Sequence, residues 1–285
     1  MDLCDLRDIQ ALLKRHGFHF SKSMGQNFLI EAQVPVSIAD ASGADRDCAV
    51  LEIGPGIGPL TVQLAQRAGK VAAVELDQSL LPVLAETLTD LANTEVIPGD
   101  VMKLDLNTLV ADKFKGFTPI VCANLPYNIT TPVMTRLLEG GLFASVTVMI
   151  QREVAKRVCA TPGTADYGAF SVFCQYHARC DYRFEVGPEC FYPAPKVTSA
   201  VVTLTTQPKP DCVTDEHAFF QVVKAAFAQR RKTLLNCLGS AYGDRFSKDA
   251  LRQIILDCGL GEDVRGERLG IPEFAALADA LSHRN

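Results

Sequence analysis

The sequence predicts an α/β fold in which a doubly wound, mostly parallel sheet precedes a small all-helical C-terminal domain. Between residues 50 and 150, short apolar runs alternate with segments of helical spacing. Strands that are apolar on both faces are typical of a parallel sheet covered by helices on each side. From residue 217 onward the periodicity is helical, so we expect the sheet to end before that point.

The predicted elements follow one another in a regular order. A helix over residues 6–14 precedes a loop over residues 21–29. The chain then alternates between strands expected at 50–53, 71–75, 95–97, 120–123 and 146–150, and helices that include 60–67 and 78–88. After Gly187 the alternation of strands and helices ends. Pro188, Pro193 and Pro195 indicate an irregular loop, and a strand rich in β-branched residues is expected over 197–205. Helices are expected at 219–238, 248–258 and 272–281.

A domain boundary is expected at the segment QPKP (207–210), whose prolines are typical of a linker. We therefore divide the chain into residues 1–206, an α/β domain that includes the N-terminal helix and loop, and residues 207–285, a helical domain.

Composition narrows the class of protein. The chain has 285 residues, 48% of them hydrophobic and 21% charged, which excludes disordered and disulfide-stapled classes. No apolar run reaches the roughly 18 residues of a membrane-spanning helix, and the first residues lack the apolar core of a secretory signal. The ten cysteines include no CxxC pair, so we expect reduced thiols, no metal, no membrane and a cytoplasmic location.

The net charge of −5 looks unfavourable for a protein that binds nucleic acid. However, residues 32–146 hold 7 basic and 13 acidic side chains, and the rest of the chain holds 21 basic and 20 acidic ones. The acidity therefore belongs to one segment, and an RNA partner remains possible through local basic patches.

A glycine turn follows the first strand, with Gly54, Gly56 and Gly58 in the spacing GxGxG. Glycines let the chain turn sharply and let a ligand approach the backbone. The dinucleotide-binding spacing is GxGxxG, and Glu52 directly before the turn would repel a pyrophosphate. The acidic turn instead favours a ligand with a positive centre.

Two further acids lie where the next strands end, at Glu75 and Asp100. Ligands in open α/β sheets lie across the carboxyl ends of the strands, where an acid can accept both ribose hydroxyls. Glu75 fits that role, and Asp100 is placed to meet an adenine amine; the alternative is that each acid caps the helix that follows it. A cation that carries a nucleoside is S-adenosylmethionine, so the arrangement resembles the Rossmann-like class I methyltransferases.

The segment NLPYNI (124–129) after the fourth strand indicates the acceptor. An adenine N6 amine is a poor nucleophile because its lone pair is delocalised into the ring, and hydrogen-bond acceptors outside the ring plane help it become pyramidal. Asn124 and the carbonyl of Leu125 are such acceptors, Pro126 stiffens the turn, and Tyr127 offers a face for the base worth about 1–3 kcal/mol.

Six segments together resemble the small-subunit ribosomal RNA adenine dimethyltransferases: SKSMGQNFL (21–29), EIGPGIGPLT (52–61), NLPYNI (124–129), QREVAKR (151–157), FYPAPKV (191–197) and QRRKTLLN (229–236). The resemblance implies transfer of four methyl groups, two to each of two adjacent adenosines near the 3′ end of 16S rRNA, in the 30S subunit or its precursor, during ribosome biogenesis. It implies that Tyr127 and Phe191 flank the target base beside Asn124, Leu125 and Pro126. The donor-binding positions it implies are Asn27, Leu29, Gly54, Gly56, Glu75, Asp100 and Asn124.

Basic side chains are the candidate RNA contacts. Arg152 and Lys156 lie four residues apart, on one face of a helix. The full set of candidates is Arg152, Lys156, Arg157, Lys196, Arg230, Arg231 and Lys232. A solvated helix face is the alternative for each patch, and we expect the protein to act as a monomer.

Three rival functions remain at this point. A resistance methyltransferase that acts on 23S rRNA would share the glycine turn and the Asn-aromatic segment, although the helical tail and FYPAPKV favour the small subunit. A ribosome-assembly factor would methylate only incidentally. A nicotinamide oxidoreductase is disfavoured by the glycine spacing.

Overall fold

The computed structural model describes residues 1–20, 26–229 and 231–283. The strands are β1 (Phe28–Leu29), β2 (Cys48–Ile53), β3 (Lys70–Glu75), β4 (Thr94–Pro98), β5 (Thr118–Asn124), β6 (Ser145–Gln151), β7 (Ala178–Val186), β8 (Phe191–Tyr192) and β9 (Ser199–Thr206). The helices are α1 (Leu6–Arg15), α2 (Gln33–Ser42), α3 (Pro59–Arg67), α4 (Leu81–Thr87), α5 (Leu106–Lys113), α6 (Thr130–Glu139), α7 (Arg152–Cys159), α8 (Ala169–His177), α9 (Glu216–Phe227), α10 (Leu234–Tyr242), α11 (Lys248–Asp257) and α12 (Ile271–His283).

The main sheet has seven strands in the order β4-β3-β2-β5-β6-β9-β7. The pairs from β4 to β6 are parallel, and β9 runs antiparallel to β6. The strand order reverses between β2 and β5, which is where open α/β sheets bind their ligands. The predicted fold class, a doubly wound and mostly parallel sheet with a C-terminal helical region, is confirmed.

The central strand β2 is buried along its whole length. Its sequence CAVLEI is apolar except for Glu52, as expected for a strand covered on both faces. Leu64 of α3 and Ile38 of α2 are fully buried in the same apolar cluster as Val50 of β2. A second, two-stranded sheet joins β1 to β8, with Phe28 opposite Tyr192 and Leu29 opposite Phe191. We call these two strands the β1–β8 ribbon.

The chain divides into two compact units. The first consists of residues 1–155 and 179–206, and the second of residues 156–178 and 207–285. The second unit has its own core of aromatic and aliphatic side chains, including Tyr176, Phe219 and Phe274. The change of unit at residue 207 falls on the expected linker, whereas the sequence division did not separate residues 156–178 from the α/β domain. The division into functional domains stays a prediction.

The helix predicted over residues 219–238 is wrong, because two helices occupy this region. α9 ends at Phe227 and α10 begins at Leu234. The backbone of Thr233 is extended, and the N–H of Leu234 donates to the carbonyl of Val264 at 2.7 Å instead of to the preceding turn. Similarly, residues 78–80 form a 3-10 turn capped by Asp77, and α4 begins only at Leu81.

Across the part of the chain that the structure describes, no helix has the length and apolarity needed to cross a bilayer. The same residues contain no group of three or more histidine, cysteine or acidic side chains that could hold a metal ion.

Candidate active site

One pocket of the first unit lies at the carboxyl ends of β2, β3, β4 and β5. This position follows from the parallel topology, which brings strand ends to one edge of the sheet. The pocket brings together every residue proposed for donor or target binding: Asn27, Leu29, Gly54, Gly56, Glu75, Asp100, Asn124, Leu125, Pro126, Tyr127 and Phe191.

The glycine turn between β2 and α3 forms one wall of this pocket. Gly54, Gly56 and Gly58 have φ values of 69°, 63° and 99°. Residues other than glycine rarely adopt positive φ angles of this size. The N–H of Gly54 donates to the carbonyl of Val74 at 2.9 Å, which ties the turn to β3. A Cβ on Gly56 would lie 3.3 Å from the ring of Phe28, so the turn also packs against the β1–β8 ribbon.

Glu52 is a buried carboxyl of β2 that lines the pocket. It is 1% exposed, and its Oε2 has no hydrogen-bond partner among the described residues. Burial, reinforced by the nearby charge of Glu75, raises the pKa of Glu52 to about 8. Ionising such a group is costly unless a cation reaches it. The site therefore fits a positively charged ligand.

Glu75 closes β3 and is 6% exposed. Its Oε1 accepts from the N–H of Asp77 at 2.8 Å, and the backbone N–H groups of Gly56 and Leu76 also favour its charged form. Burial nevertheless raises the pKa of Glu75 above its usual range. The helix-cap alternative fails for Glu75, because Asp77 caps the following turn.

Asp100 begins the loop that follows β4. Its Oδ1 accepts from the N–H of Met102 at 2.9 Å, and its Oδ2 lies 3.9 Å from the Nζ of Lys103. The guanidinium of Arg136, on α6, donates to the carbonyls of Met102 and Leu104. The loop that presents Asp100 is thus fastened to the helix that follows the Asn-Leu-Pro-Tyr turn.

The Asn-Leu-Pro-Tyr turn joins β5 to α6. The N–H of Leu125 donates to the carbonyl of Met149 at 3.1 Å, so the turn extends the pairing of β5 with β6. The hydroxyl of Tyr127 lies 2.7 Å from the Oγ of Ser199 on β9, and this hydrogen bond holds the tyrosine ring in place. Burial raises the pKa of Tyr127. Asn124 is partly buried at the strand end and lines the pocket.

The β1–β8 ribbon provides the wall that carries Leu29 and Phe191. Both are buried, at 2% and 3% exposure, in the core cluster that also includes Ile38 and Leu64. Asn27 precedes the ribbon, is partly buried and lines the pocket. The loop residues 21–25, which the sequence analysis grouped with Asn27, lie outside the described residues.

The basic candidates for RNA contacts that the structure describes are at least partly exposed. In the first unit, Arg152 lies 3.6 Å from Glu185, and Lys196 is exposed. In the second unit, Lys156 and Arg157 on α7 are exposed, as are Arg231 and Lys232 in the connection between α9 and α10. Arg230 lies outside the described residues.

Three pocket or support residues escaped the sequence analysis. Leu76 is 51% exposed beside Glu75 and lines the pocket. The sequence could have indicated it, because an apolar side chain follows directly after the acid predicted to bind the ribose. Arg136 and Ser199 support the site from distant segments. No local pattern marks them, because their roles depend on which elements meet in three dimensions.

The reversal of strand order and the glycine turn define a Rossmann-like fold, and the match to a family model places the chain among the methyltransferases of that fold. The family model described as "Ribosomal RNA adenine dimethylase" matches residues 17–271. The chain belongs to this family, which confirms both the resemblance and the enzyme class expected from the sequence.

Curated relatives are similar to this chain over nearly its whole length and over nearly the whole of their own. A protein of Shouchella clausii named "Ribosomal RNA small subunit methyltransferase A" is 47% identical over 274 residues, covering 95% of this chain and 93% of the relative. The protein of the same name from Streptococcus pneumoniae strain JJA is 45% identical over 285 residues, covering 99% and 98%.

Solved structures confirm the fold alone. A dimethyladenosine transferase from Plasmodium falciparum matches with a TM-score of 0.72 and 24% identity, covering 87% of this chain and 95% of that one. The 23S rRNA methyltransferase ErmE matches with a TM-score of 0.68 and 24% identity, covering 90% and 100%.

Proposed function

We propose that this protein transfers methyl groups from S-adenosylmethionine to the N6 amines of two adjacent adenosines near the 3′ end of 16S rRNA, giving N6,N6-dimethyladenosine at both. It acts as a monomer, in the cytoplasm, on the 30S subunit or its precursor during ribosome biogenesis. The observation that carries the proposal is the meeting of Glu52, Glu75 and Asp100 with the Asn-Leu-Pro-Tyr turn in one pocket. The names of the curated relatives support the small subunit as the target.

Donor binding is assigned to the acidic edge of the sheet. Glu75 accepts from the ribose hydroxyls, Asp100 accepts from the adenine amine, and Leu76 covers one face of the adenine. Asn27 and Leu29 hold the methionine end against the glycine turn, where Gly54 and Gly56 leave room for the ligand. The unpartnered Oε2 of Glu52 gives the pocket a group that a cation satisfies.

Methyl transfer is assigned to the Asn-Leu-Pro-Tyr turn. The bound donor supplies an electrophilic methyl carbon on a sulfonium, whose leaving group is a neutral thioether. Asn124 and the carbonyls of the turn accept the N6 hydrogens, which directs the nitrogen lone pair towards that carbon. As the nitrogen–carbon bond forms, the carbon–sulfur electron pair stays with sulfur, and the amine proton leaves to water. Tyr127 and Phe191 hold the ring of the target base.

RNA positioning is assigned to the exposed basic residues in both units: Arg152, Lys156, Arg157, Lys196, Arg231 and Lys232, together with Arg230. Charge contacts of this kind orient the RNA without reading its sequence. Base extrusion then presents the N6 amine, because an amine within a stacked helix is out of reach.

The testing experiment offers labelled S-adenosylmethionine with unmethylated 30S particles, 50S particles or naked 16S rRNA. The proposal predicts label in the 30S particle, on two adjacent adenosines near the 3′ end. Label confined to 50S particles would contradict it and would restore the 23S alternative. A variant with Asn124→Ala that still promotes 30S assembly would separate an assembly role from the methyl transfer.

A further inference from the structure

The N-terminal segment, the β1–β8 ribbon and Tyr192 build an aromatic cluster that the proposed chemistry does not use. The rings of Phe20 and Phe28 lie 5.3 Å apart, and the rings of Phe20 and Tyr192 lie 5.6 Å apart in an edge-to-face arrangement. Phe18 completes the cluster at 5.5 Å from Phe20 and 5.8 Å from Phe28. We call Phe20 and Tyr192 the outer aromatic pair.

The outer aromatic pair is open to solvent, unlike the rings beneath it. Phe18 and Phe28 are 8% and 5% exposed, whereas Phe20 is 36% exposed and Tyr192 is partly exposed. Phe20 is one of the few large hydrophobic side chains exposed to this degree. A ring held in place by neighbouring aromatics and open on one side is a stacking surface for a planar ligand.

The pair adjoins the methyl-transfer pocket through the ribbon. Tyr192 follows the pocket-lining Phe191 directly and pairs in register with the pocket-lining Phe28. Since successive side chains of a strand point to opposite faces, Phe191 and Tyr192 lie on opposite sides of the ribbon. Their packing agrees: Phe191 joins the cluster of Leu29, and Phe28 joins that of Phe18.

We propose that the outer aromatic pair is a second base-binding site, which stacks the adenosine next to the one in the pocket. This inference rests on the proposed function, which requires two adjacent adenosines to be modified. When one base is extruded into the pocket, its neighbour loses a stacking partner. One base then lies beside Phe191 on one face of the ribbon. The neighbouring base lies on Phe20 and Tyr192 on the other face, the face of Phe28, which also lines the pocket.

The test compares wild type with the double variant Phe20→Leu/Tyr192→Leu, which keeps apolar bulk and removes both rings. Each is assayed on 30S particles whose 16S rRNA carries either the normal neighbour or an abasic nucleotide in its place. We expect the abasic neighbour to raise the KM of wild type for the particle about ten-fold. The double variant should have a KM about ten-fold above that of wild type with the normal particle, and the abasic particle should raise its KM no further.

Two control variants make the result decisive. Tyr192→Phe alone keeps the ring and should have the wild-type KM. Tyr182→Leu removes an equally exposed tyrosine on β7, together with its hydrogen bond to Glu185, and should keep the full ten-fold effect of the abasic neighbour on KM. Donor affinity and the unfolding temperature should match wild type in all variants. If the ring losses and the abasic neighbour act additively, or if only the unfolding temperature changes, the pair is a packing feature and the inference is wrong. Wild type that labels no particle would instead overturn the proposed function, and this inference with it.

Discussion

The acidic pocket and the basic RNA-contact residues use charge in opposite ways. In the pocket, Glu52 and Glu75 are 1% and 6% exposed. Glu52 lies on the buried strand β2, and the carboxylate of Glu75 accepts from backbone N–H groups. The described basic residues are at least partly exposed, and the guanidinium of Arg152 lies 3.6 Å from the carboxylate of Glu185. Buried polar groups have large energetic effects because nothing replaces a lost partner, whereas water replaces a lost partner at the surface. The comparison predicts effects that decrease from the pocket to the surface.

The largest effect is expected for Glu75→Ala. The substitution removes an ionised acceptor for the ribose hydroxyls, and charged hydrogen bonds contribute about 1.5–3 kcal/mol each. We expect donor affinity to fall about 100-fold, measured by calorimetry, while binding to 30S particles is retained. Asp112→Asn, an exposed acid on α5, is the control and should bind the donor normally. Methylation at the wild-type rate by Glu75→Ala would refute the donor assignment.

Asn124→Ala is expected to affect rate rather than binding. Losing one oriented acceptor should slow methyl transfer at least about ten-fold in single-turnover assays and change donor affinity only a few-fold. Equal losses of rate and affinity would make Asn124 a donor-binding residue alone.

The raised pKa of Glu52 predicts that donor affinity in the pocket depends on pH. Its pKa of about 8 in the free protein means that the carboxyl is mostly protonated at neutral pH. A bound cation favours the ionised form, so donor affinity should rise roughly five-fold from pH 6 to pH 8 as the proton becomes easier to release. Calorimetry in buffers of different ionisation enthalpy should detect proton release in wild type and much less in Glu52→Gln. Equal proton release in both would assign the effect to Glu75, whose pKa is also raised.

Stability provides an independent check on the same group. Because the pKa of Glu52 is raised by folding, the folded state holds a proton that the unfolded state releases above about pH 4.5. Its contribution to stability is therefore fully present below that pH and is lost as pH rises towards 8. The unfolding temperature of Glu52→Gln should exceed that of wild type by an amount that grows over this range. A constant difference would contradict the burial of a carboxyl whose Oε2 has no partner among the described residues.

The smallest effects are expected at the surface. Lys156→Gln should weaken binding to 30S particles only a few-fold and lower the slope of log affinity against log salt by up to about one. Arg152→Gln should have a smaller effect, because Glu185 already offsets its charge. A loss of 100-fold at either position would show that the surface acts as a specific site, and would break the comparison.

The sequence was sufficient where function depends on strand ends. Glu75 ends β3, and Asp100 follows β4 by two residues, so their meeting at one edge follows from a parallel sheet and is visible in the structure. Gly54 and Gly56 were found for a related reason, since their positive φ angles need glycine. The enzyme class was implied by the resemblance of six segments to a known family, and the family model confirms it.

What the sequence did not provide depends on contacts between distant segments. Arg136 and Ser199 support the pocket from other elements, and no local periodicity encodes such a contact. The polar run at residues 229–233 interrupts the apolar spacing, but such a run also fits the exposed turn of a continuous helix. The hydrogen bond from Leu234 to Val264, which redirects the chain, is tertiary and has no local sequence signal. The separation of residues 156–178 from the first unit was missed for the same reason.

A crystal structure with S-adenosylhomocysteine bound tests the central claim most directly. We predict the ribose hydroxyls on Glu75, the adenine amine at Asp100, and the sulfur facing Asn124 across open space wide enough for a base. A ligand that binds with its adenine on the Asn124 side, or a pocket that excludes the ligand, would contradict the assignment of both donor binding and methyl transfer.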